Sequence, residues 1–248
     1  MVRRPSSRLA DGELTHLDRV PVDIELARSQ WDDYVAALAA NGFPAVEVDA
    51  ADEHPDSVFV EDAVVVFGDL AVLTSPGAAS RRGETDAVRP VVQRLGLEIA
   101  AIELPGTLDG GDVLKVGTRV YVGLGSRTNA EGIEQLRALI GPRGYDVVAV
   151  PVTRALHLKS AVTALPDGTV VGHPDLVDHP EAFDRYLPVP EPEGVAVVVL
   201  DERSVLMSSA APESTRIFEG LGYRVVTVGI SEFEKLEGCV TCLSVRVR

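Results

Sequence analysis

The sequence predicts an α/β domain built from five repeats of roughly 50 residues that close radially around an axis. Three observations predict it. Helix-like segments end repeatedly at a glycine followed by a bulky apolar residue, at Gly42-Phe43, Gly96-Leu97, Gly144-Tyr145 and Gly222-Tyr223. After each glycine come a short apolar strand, a loop and an apolar hairpin. Residues able to do chemistry fall at matching places in those loops. Asp56, Asp109 and His157 stand 13 or 14 residues beyond the helix-closing glycine, and Cys242 stands 20 beyond.

Each element has a local reason. Glycine suits the left-handed residue that closes a helix. The strands that follow read Val46-Glu47-Val48, Glu98 to Ile102, Val147 to Val150 and Val225 to Val228, rich in the β-branched residues that favour a pleated surface. The hairpins run from Val58 to Leu73 turning at Gly68-Asp69, and from Val113 to Leu124 turning at Gly117-Thr118. Two more run from Val162 to Val171 turning at Asp167-Gly168, and from Val195 to Met207 turning at Asp201-Glu202. Turn formers between apolar runs are the mark of paired strands. The fourth unit is short and Pro-rich, with Leu176 to Leu187 as a poorly formed helix. When such units close radially, equivalent loops point at one axis, so residues distant in sequence meet there.

The 248 residues, 46% hydrophobic and 25% charged, are expected to form one compact domain spanning 1–248. No run approaches the ~18 apolar residues of a membrane span, and the segment from Met1 to Ser6 lacks the apolar stretch of a signal peptide. A cytoplasmic location without a membrane partner is expected. The net charge of -15 argues against nucleic acid, whose phosphates require clustered Lys and Arg. It is compatible with a small cationic substrate, although solvated surface accounts for much of it. The two cysteines, Cys239 and Cys242, share a strand-like segment on which disulfide geometry is poor, which implies a reducing compartment.

Cys242, His157 and Asp109 can form a nucleophilic unit if the fold brings their three loops together. Of the five histidines, only His157 lies in a repeat-equivalent loop. A second cluster comprises Asp56, Glu61 and Asp62, and Glu61-Asp62 interrupts the apolar run from Val58 to Phe67, where unpaired charges are costly to bury. An internal Arg or Lys and a guanidinium or ammonium ligand both satisfy that requirement. The position of the acids in the unit ahead of Asp109 favours the ligand.

Six segments make a sharper statement: Asp56 to Asp62, Thr74 to Glu84, Leu108-Asp109-Gly110-Gly111-Asp112, Ser126 to Gly132, Leu156-His157-Leu158-Lys159 and Thr241-Cys242-Leu243-Ser244. In this order and at compatible spacing over nearly the whole chain, they resemble the dimethylarginine dimethylaminohydrolases, members of the guanidino-group-modifying enzymes. The resemblance implies the pentein fold, a five-bladed pseudo-symmetric α/β propeller. It also implies hydrolysis of N-ω-methylated arginines to citrulline and dimethylamine or methylamine, through a covalent S-alkylthiouronium on cysteine.

The resemblance further implies residue roles. Cys242 is expected as the nucleophile, His157 as the general acid and base, and Asp109 as the carboxylate that orients His157 and contacts the guanidinium. Asp56, Glu61 and Asp62 match positions that hold the guanidinium and its neighbours. Arg81 and Arg127 match those that bind the substrate α-carboxylate, where an arginine fork suits a carboxylate, and Leu14 falls where the family has a mobile lid residue. Cys239 stands where the family needs no thiol and is expected to be structural. The chemistry requires no metal and no organic cofactor, and analogy with bacterial relatives suggests a homodimer. In one departure, only Met1-Val2-Arg3 remains of a strand with which family members begin, so either the fifth unit closes with a shortened strand or the start is misassigned. Two other readings stand beside this one. Arginine deiminases carry a helical insertion for which this chain has no room, and a non-catalytic binding propeller of the same fold would not need Cys242, His157 and Asp109 together.

Overall fold

In the computed structural model, which describes residues 1–247, twelve strands form four three-stranded sheets of one repeated topology. Each is a hairpin plus a third strand. The first contains β1 (Val64–Phe67), β2 (Leu70–Leu73) and β3 (Glu98–Ala101), and the second β4 (Val113–Val116), β5 (Arg119–Leu124) and β6 (Asp146–Pro151). The third contains β7 (Val162–Ala164), β8 (Val170–Gly172) and β9 (Tyr186–Pro188), and the fourth β10 (Val197–Asp201), β11 (Ser204–Ser208) and β12 (Arg224–Val228). In all four the hairpin is antiparallel and the third strand lies parallel to the second.

A parallel neighbour requires a crossover, and helices supply it. α1 (Ile24–Ala40) precedes the first sheet, while α2 (Val88–Arg94), α3 (Ala130–Ile140) and α5 (Pro212–Gly220) join the second and third strands of sheets one, two and four. The Asp23 side chain caps α1 by accepting from Glu25 N and Leu26 N, both at 3.0 Å, and Asn129 caps α3 through Gly132 N. Gly42, Gly96, Gly144 and Gly222 all carry φ between +72° and +92°, the left-handed closure expected after each helix. The strand after each helix thus completes the preceding hairpin instead of opening the next unit.

The remaining pieces repeat the same order in miniature. Val245 N donates to Met1 O at 2.9 Å, and Val2 bridges Glu47 in parallel across the α1 crossover. Met1 and Val2 thereby link the C-terminal segment at Val245 to Glu47. The Val46-Glu47-Val48 segment is reduced to one bridge residue.

The two strands β1 and β2 are buried at every position, which explains their continuous apolar sequence. The core divides into four clusters. No helix among the described residues is long and apolar enough to cross a membrane.

Three expectations are corrected. The hairpin placed from Val58 begins at Val64, because Val60–Ala63 forms a 3₁₀ turn. A single helical turn likewise precedes the other hairpins, at Gly110–Asp112, α4 (Leu158–Ala161) and Pro192–Val195. The segment from Leu176 to Leu187 forms no helix: Pro180 opens one 3₁₀ turn, Pro180–Ala182, and Leu187 already belongs to β9. The terminal cysteine segment is a turn, not a strand, and Cys242 N donates to Cys239 O at 3.1 Å.

Candidate active site

The single turn ahead of each hairpin is preceded by one N-terminal capping residue. Phe59, Asp109 and His157 occupy that position in three successive units, so Asp56 lies one turn upstream of the true equivalent of Asp109. His157 Nε2 stands 2.9 Å from Asp109 Oδ2, and both residues are buried. Asp109 Oδ1 accepts from Gly77 N at 2.8 Å, which fixes the carboxylate opposite the imidazole.

A further carboxylate holds this pair in place. Asp112 Oδ1 accepts from Leu158 N at 2.9 Å and caps the turn that His157 begins, leaving the His157 ring free for the site. Asp112 Oδ2 accepts from the Thr128 hydroxyl, whose oxygen in turn accepts from Asp109 N at 3.1 Å. One acid thereby fixes the backbone on both sides of the His157–Asp109 contact. The paired glycines between them are there for closeness. A Cβ on Gly111 would lie 2.7 Å from His157 Nδ1 and 2.6 Å from Asp62 Oδ1.

Asp62 faces the same ring, with Oδ1 3.8 Å from His157 Nδ1. Burial alone would lower the His157 pKa, but Asp62, Asp109 and Asp112 outweigh it and raise it to about 9. The reverse holds for Asp62: burial would raise it, and His157, Arg81 and the Gly111 amide bring it down to about 2. Asp112 is pushed up to about 6, chiefly by burial. At neutral pH the site thus holds an imidazolium between carboxylates.

The acids Glu61 and Asp62 part company. In a 3₁₀ turn successive side chains are about 120° apart, and only Asp62 lines the cavity that contains His157 and Cys242. Glu61 points to a second cavity on the other side of the turn and pairs with Lys159 at 2.5 Å. Asp62 pairs with Arg81 at 2.8 Å. The internal cations that were set against a ligand are therefore present for both acids, and Glu61 lies outside the cavity.

Arg81 also departs from expectation. Its Nε and Nη2 hold Glu84 in a fork at 3.0 and 2.8 Å, Nη1 donates to Asp62, and Nη2 reaches Asp56 O at 3.3 Å. Four of the five guanidinium donors are committed, so Arg81 lines the cavity with one Nη1 hydrogen and no open fork. Arg127 is different. It lines the same cavity, its Nη2 meets Glu13 at 3.2 Å, and its buried Nη1 has no hydrogen-bond partner.

Cys242 is 5% exposed and sits in the terminal turn. Tyr34 of α1 clamps that turn, donating to Val240 O at 2.8 Å and meeting Ser244 Oγ at 2.7 Å. The Cys242 carbonyl accepts from Glu61 N at 3.2 Å. Its sulfur is 3.4 Å from that of Cys239. This hydrogen bond, followed by burial and the charges of Glu61 and Asp62, pushes the Cys242 thiol well above its ordinary pKa.

The segment carrying Leu14 closes over the cavity. Glu237 accepts from the amides of Thr15, His16 and Leu17, and Asp56 accepts from Glu13 N at 3.0 Å. Leu14 itself packs half-buried on the large core cluster and does not line the cavity. Glu237 is the one non-glycine with positive φ, +60°, among the described residues. Sequence reasoning passed over Glu237, Glu13, Phe59 and Leu156, which also line the cavity.

One atom each of Asp62, Asp109 and His157 lies within 4.8 Å of the others, a spacing that could hold a metal ion. The two carboxylates are already engaged by Arg81, Gly111 and Gly77. The arrangement suits instead a nucleophilic sulfur with an acid and base beside it, in an anionic cavity.

The arginine deiminase family model matches residues 55–229. A dimethylarginine dimethylaminohydrolase of Streptomyces coelicolor is 59% identical over 248 residues, covering 100% of this chain and 96% of that protein. The chain belongs to the dimethylarginine dimethylaminohydrolase family. Another family member, from Pseudomonas aeruginosa, is 36% identical over 99% of this chain and 98% of its own length. The solved structure of a mutant of that P. aeruginosa enzyme with citrulline has a TM-score of 0.92 to this chain, with 99% of this chain and 97% of the other covered. The N-terminal domain of a cyanobacterial arginine dihydrolase, only 19% identical, has a TM-score of 0.88 and shares the fold.

Proposed function

We propose that the protein hydrolyses N-ω-methylated arginines to citrulline and dimethylamine or methylamine, through a covalent intermediate on Cys242. The observation that carries the reading is the convergence of Cys242, the His157–Asp109 pair and the buried carboxylates Asp56 and Asp62 around one cavity in a chain of this family.

A guanidinium carbon is a weak electrophile because its charge is delocalised. Carboxylates placed along the group localise the charge and orient the carbon. Asp62 and Asp56 take that part here, while Arg127, with a free buried Nη1, binds the substrate α-carboxylate and Arg81 adds its one remaining hydrogen. Leu14 rides on the closing segment as a lid. Glu61, facing away, holds Lys159 and the turn that presents Asp62.

The elevated Cys242 pKa is a property of the cavity without a cation. A guanidinium beside the sulfur favours the thiolate by direct attraction. The thiolate attacks the guanidinium carbon, and the tetrahedral adduct expels the alkylamine as His157 gives up a proton. An imidazolium held at about pKa 9 stays charged in the empty site at neutral pH and is ready to act as the acid. Once neutral, His157 takes a proton from water, which attacks the thiouronium carbon and releases citrulline and the thiol. Asp109 keeps the ring oriented through both steps.

The test is a quenched reaction of His157→Gly with dimethylarginine, read by protein mass. The expected result is an adduct on Cys242 that forms and hydrolyses slowly; near-normal turnover by this variant rules out the acid and base role.

A further inference from the structure

The cysteine that the mechanism leaves unused lies against the one that it uses. Cys239 Sγ is 3.4 Å from Cys242 Sγ and 3.3 Å from Thr241 Oγ1, and it is half-buried next to Gly238, which lines the same cavity as Cys242. On a strand, two cysteines three apart would point to opposite faces. Here they flank a turn closed by the Cys242 N to Cys239 O hydrogen bond. A turn of that kind holds its first and fourth Cα atoms within about 7 Å, which overlaps the range that a disulfide spans. The sulfurs need to approach by about 1.4 Å to reach bonding distance.

We propose that hydrogen peroxide converts the adjacent pair into a Cys239–Cys242 disulfide, which reversibly silences the nucleophile. A thiolate of the pair attacks one peroxide oxygen; an S–O bond forms, the O–O bond breaks and hydroxide leaves. The second sulfur then attacks the sulfenyl sulfur, forming the S–S bond and expelling hydroxide. Protons from the two thiols complete two waters, so two thiols and one peroxide give one disulfide and two waters. The two sulfurs share one hydrogen bond, which lowers the pKa of Cys239 and supplies the thiolate for the first step.

The thiol cost of this device is small, because nothing else in the site depends on Cys239. Its contacts are the neighbouring Thr241 hydroxyl, the Cys242 sulfur and a distant Lys159 carbonyl at 4.0 Å. Oxidation requires no rearrangement of Tyr34 or of the Glu61 backbone contact, since the turn already brings the sulfurs together. Without a partner, a peroxide-oxidised Cys242 would instead proceed to sulfinic acid, which thiol reductants do not reverse.

The loss of activity rests on Cys242 being the nucleophile, but the disulfide is read by mass without any turnover. Purified wild type and Cys239→Ser are treated with peroxide, alkylated under denaturing conditions, digested and assayed before and after dithiothreitol. Wild type is expected to give a 239–242 linked peptide lighter by two hydrogens, and to lose citrulline formation and regain it fully on reduction. Cys239→Ser is expected to lose activity to peroxide without recovery. Two free thiols in wild type, at a peroxide dose that oxidises Cys242 in Cys239→Ser, would overturn the proposal while leaving the hydrolase reading intact.

Discussion

His157 Nε2 and Asp109 Oδ2 are 2.9 Å apart although 48 residues separate them in the chain. The contact joins the residues that cap the equivalent helical turn in two successive units. Asp109→Asn keeps the shape and removes the charge, so the imidazolium loses a charge-assisted partner. The expected loss is at least about 2 kcal/mol of transition-state stabilisation, roughly 30-fold in kcat/KM. Unchanged steady-state kinetics in this variant would remove Asp109 from the reaction.

His157, facing Asp62, Asp109 and Asp112, also makes stability depend on pH. His157 is held at about 9 against an ordinary 6.5. A folded pKa above the unfolded one means that the charged ring stabilises the fold fully below about pH 6.5, and that this contribution is lost as pH rises through about 9. Urea unfolding of wild type across that window should show falling stability, and His157→Gln should flatten the fall. Parallel curves for the two proteins would contradict the assignment.

Much of this arrangement was legible in the sequence, for physical reasons. Helix-closing glycines and hairpin turn residues act locally, so Gly96, Gly144, Gly222 and the turn at Gly117-Thr118 marked their elements correctly. Asp109 and His157 could be singled out because each stands 13 residues beyond a helix-closing glycine, whereas Cys242, 20 residues beyond, has no such equal spacing. The single turn at Val60–Ala63 carries no such mark, since Val58 to Phe67 reads as a strand by composition. Pairings were also hidden: nothing local says that Arg81 spends its fork on Glu84, or that Glu61 turns away to Lys159. The turn that joins Cys239 to Cys242 was read as a strand because apolar residues surround it.

Gly111 tests the close packing behind His157. A methyl group there meets the ring at 2.7 Å and Asp62 at 2.6 Å, neither a flexible chain end. Gly111→Ala is expected to cost about 1–3 kcal/mol of stability and to cut activity further than the lost stability explains, by moving His157 away from Asp109. A variant with full activity would show that the ring has room to yield.

The two arginines should fail in different ways. Arg81→Ala strands Asp62 and Glu84, both buried, and is expected to destabilise the fold by about 3–5 kcal/mol in urea unfolding. Arg127→Gln should leave stability nearly unchanged, because Arg127 pairs with the more exposed Glu13. It should weaken methylarginine far more than an analogue lacking the α-carboxylate. Equal losses for both compounds would make Arg127 a structural residue.

Cys242→Ser should abolish citrulline formation while Cys239→Ser retains most of it, and a haloacetamidine should label Cys242 alone in the reduced wild type. Labelling mainly at Cys239 would place the nucleophile on the other sulfur.

The most direct test of the account is the formation of citrulline by the purified protein from dimethylarginine, monomethylarginine and arginine, measured side by side with release of the corresponding amine. The account predicts equal amounts of citrulline and alkylamine from the methylated substrates, absent in Cys242→Ser. Citrulline from arginine alone, or none from any of the three, would contradict it.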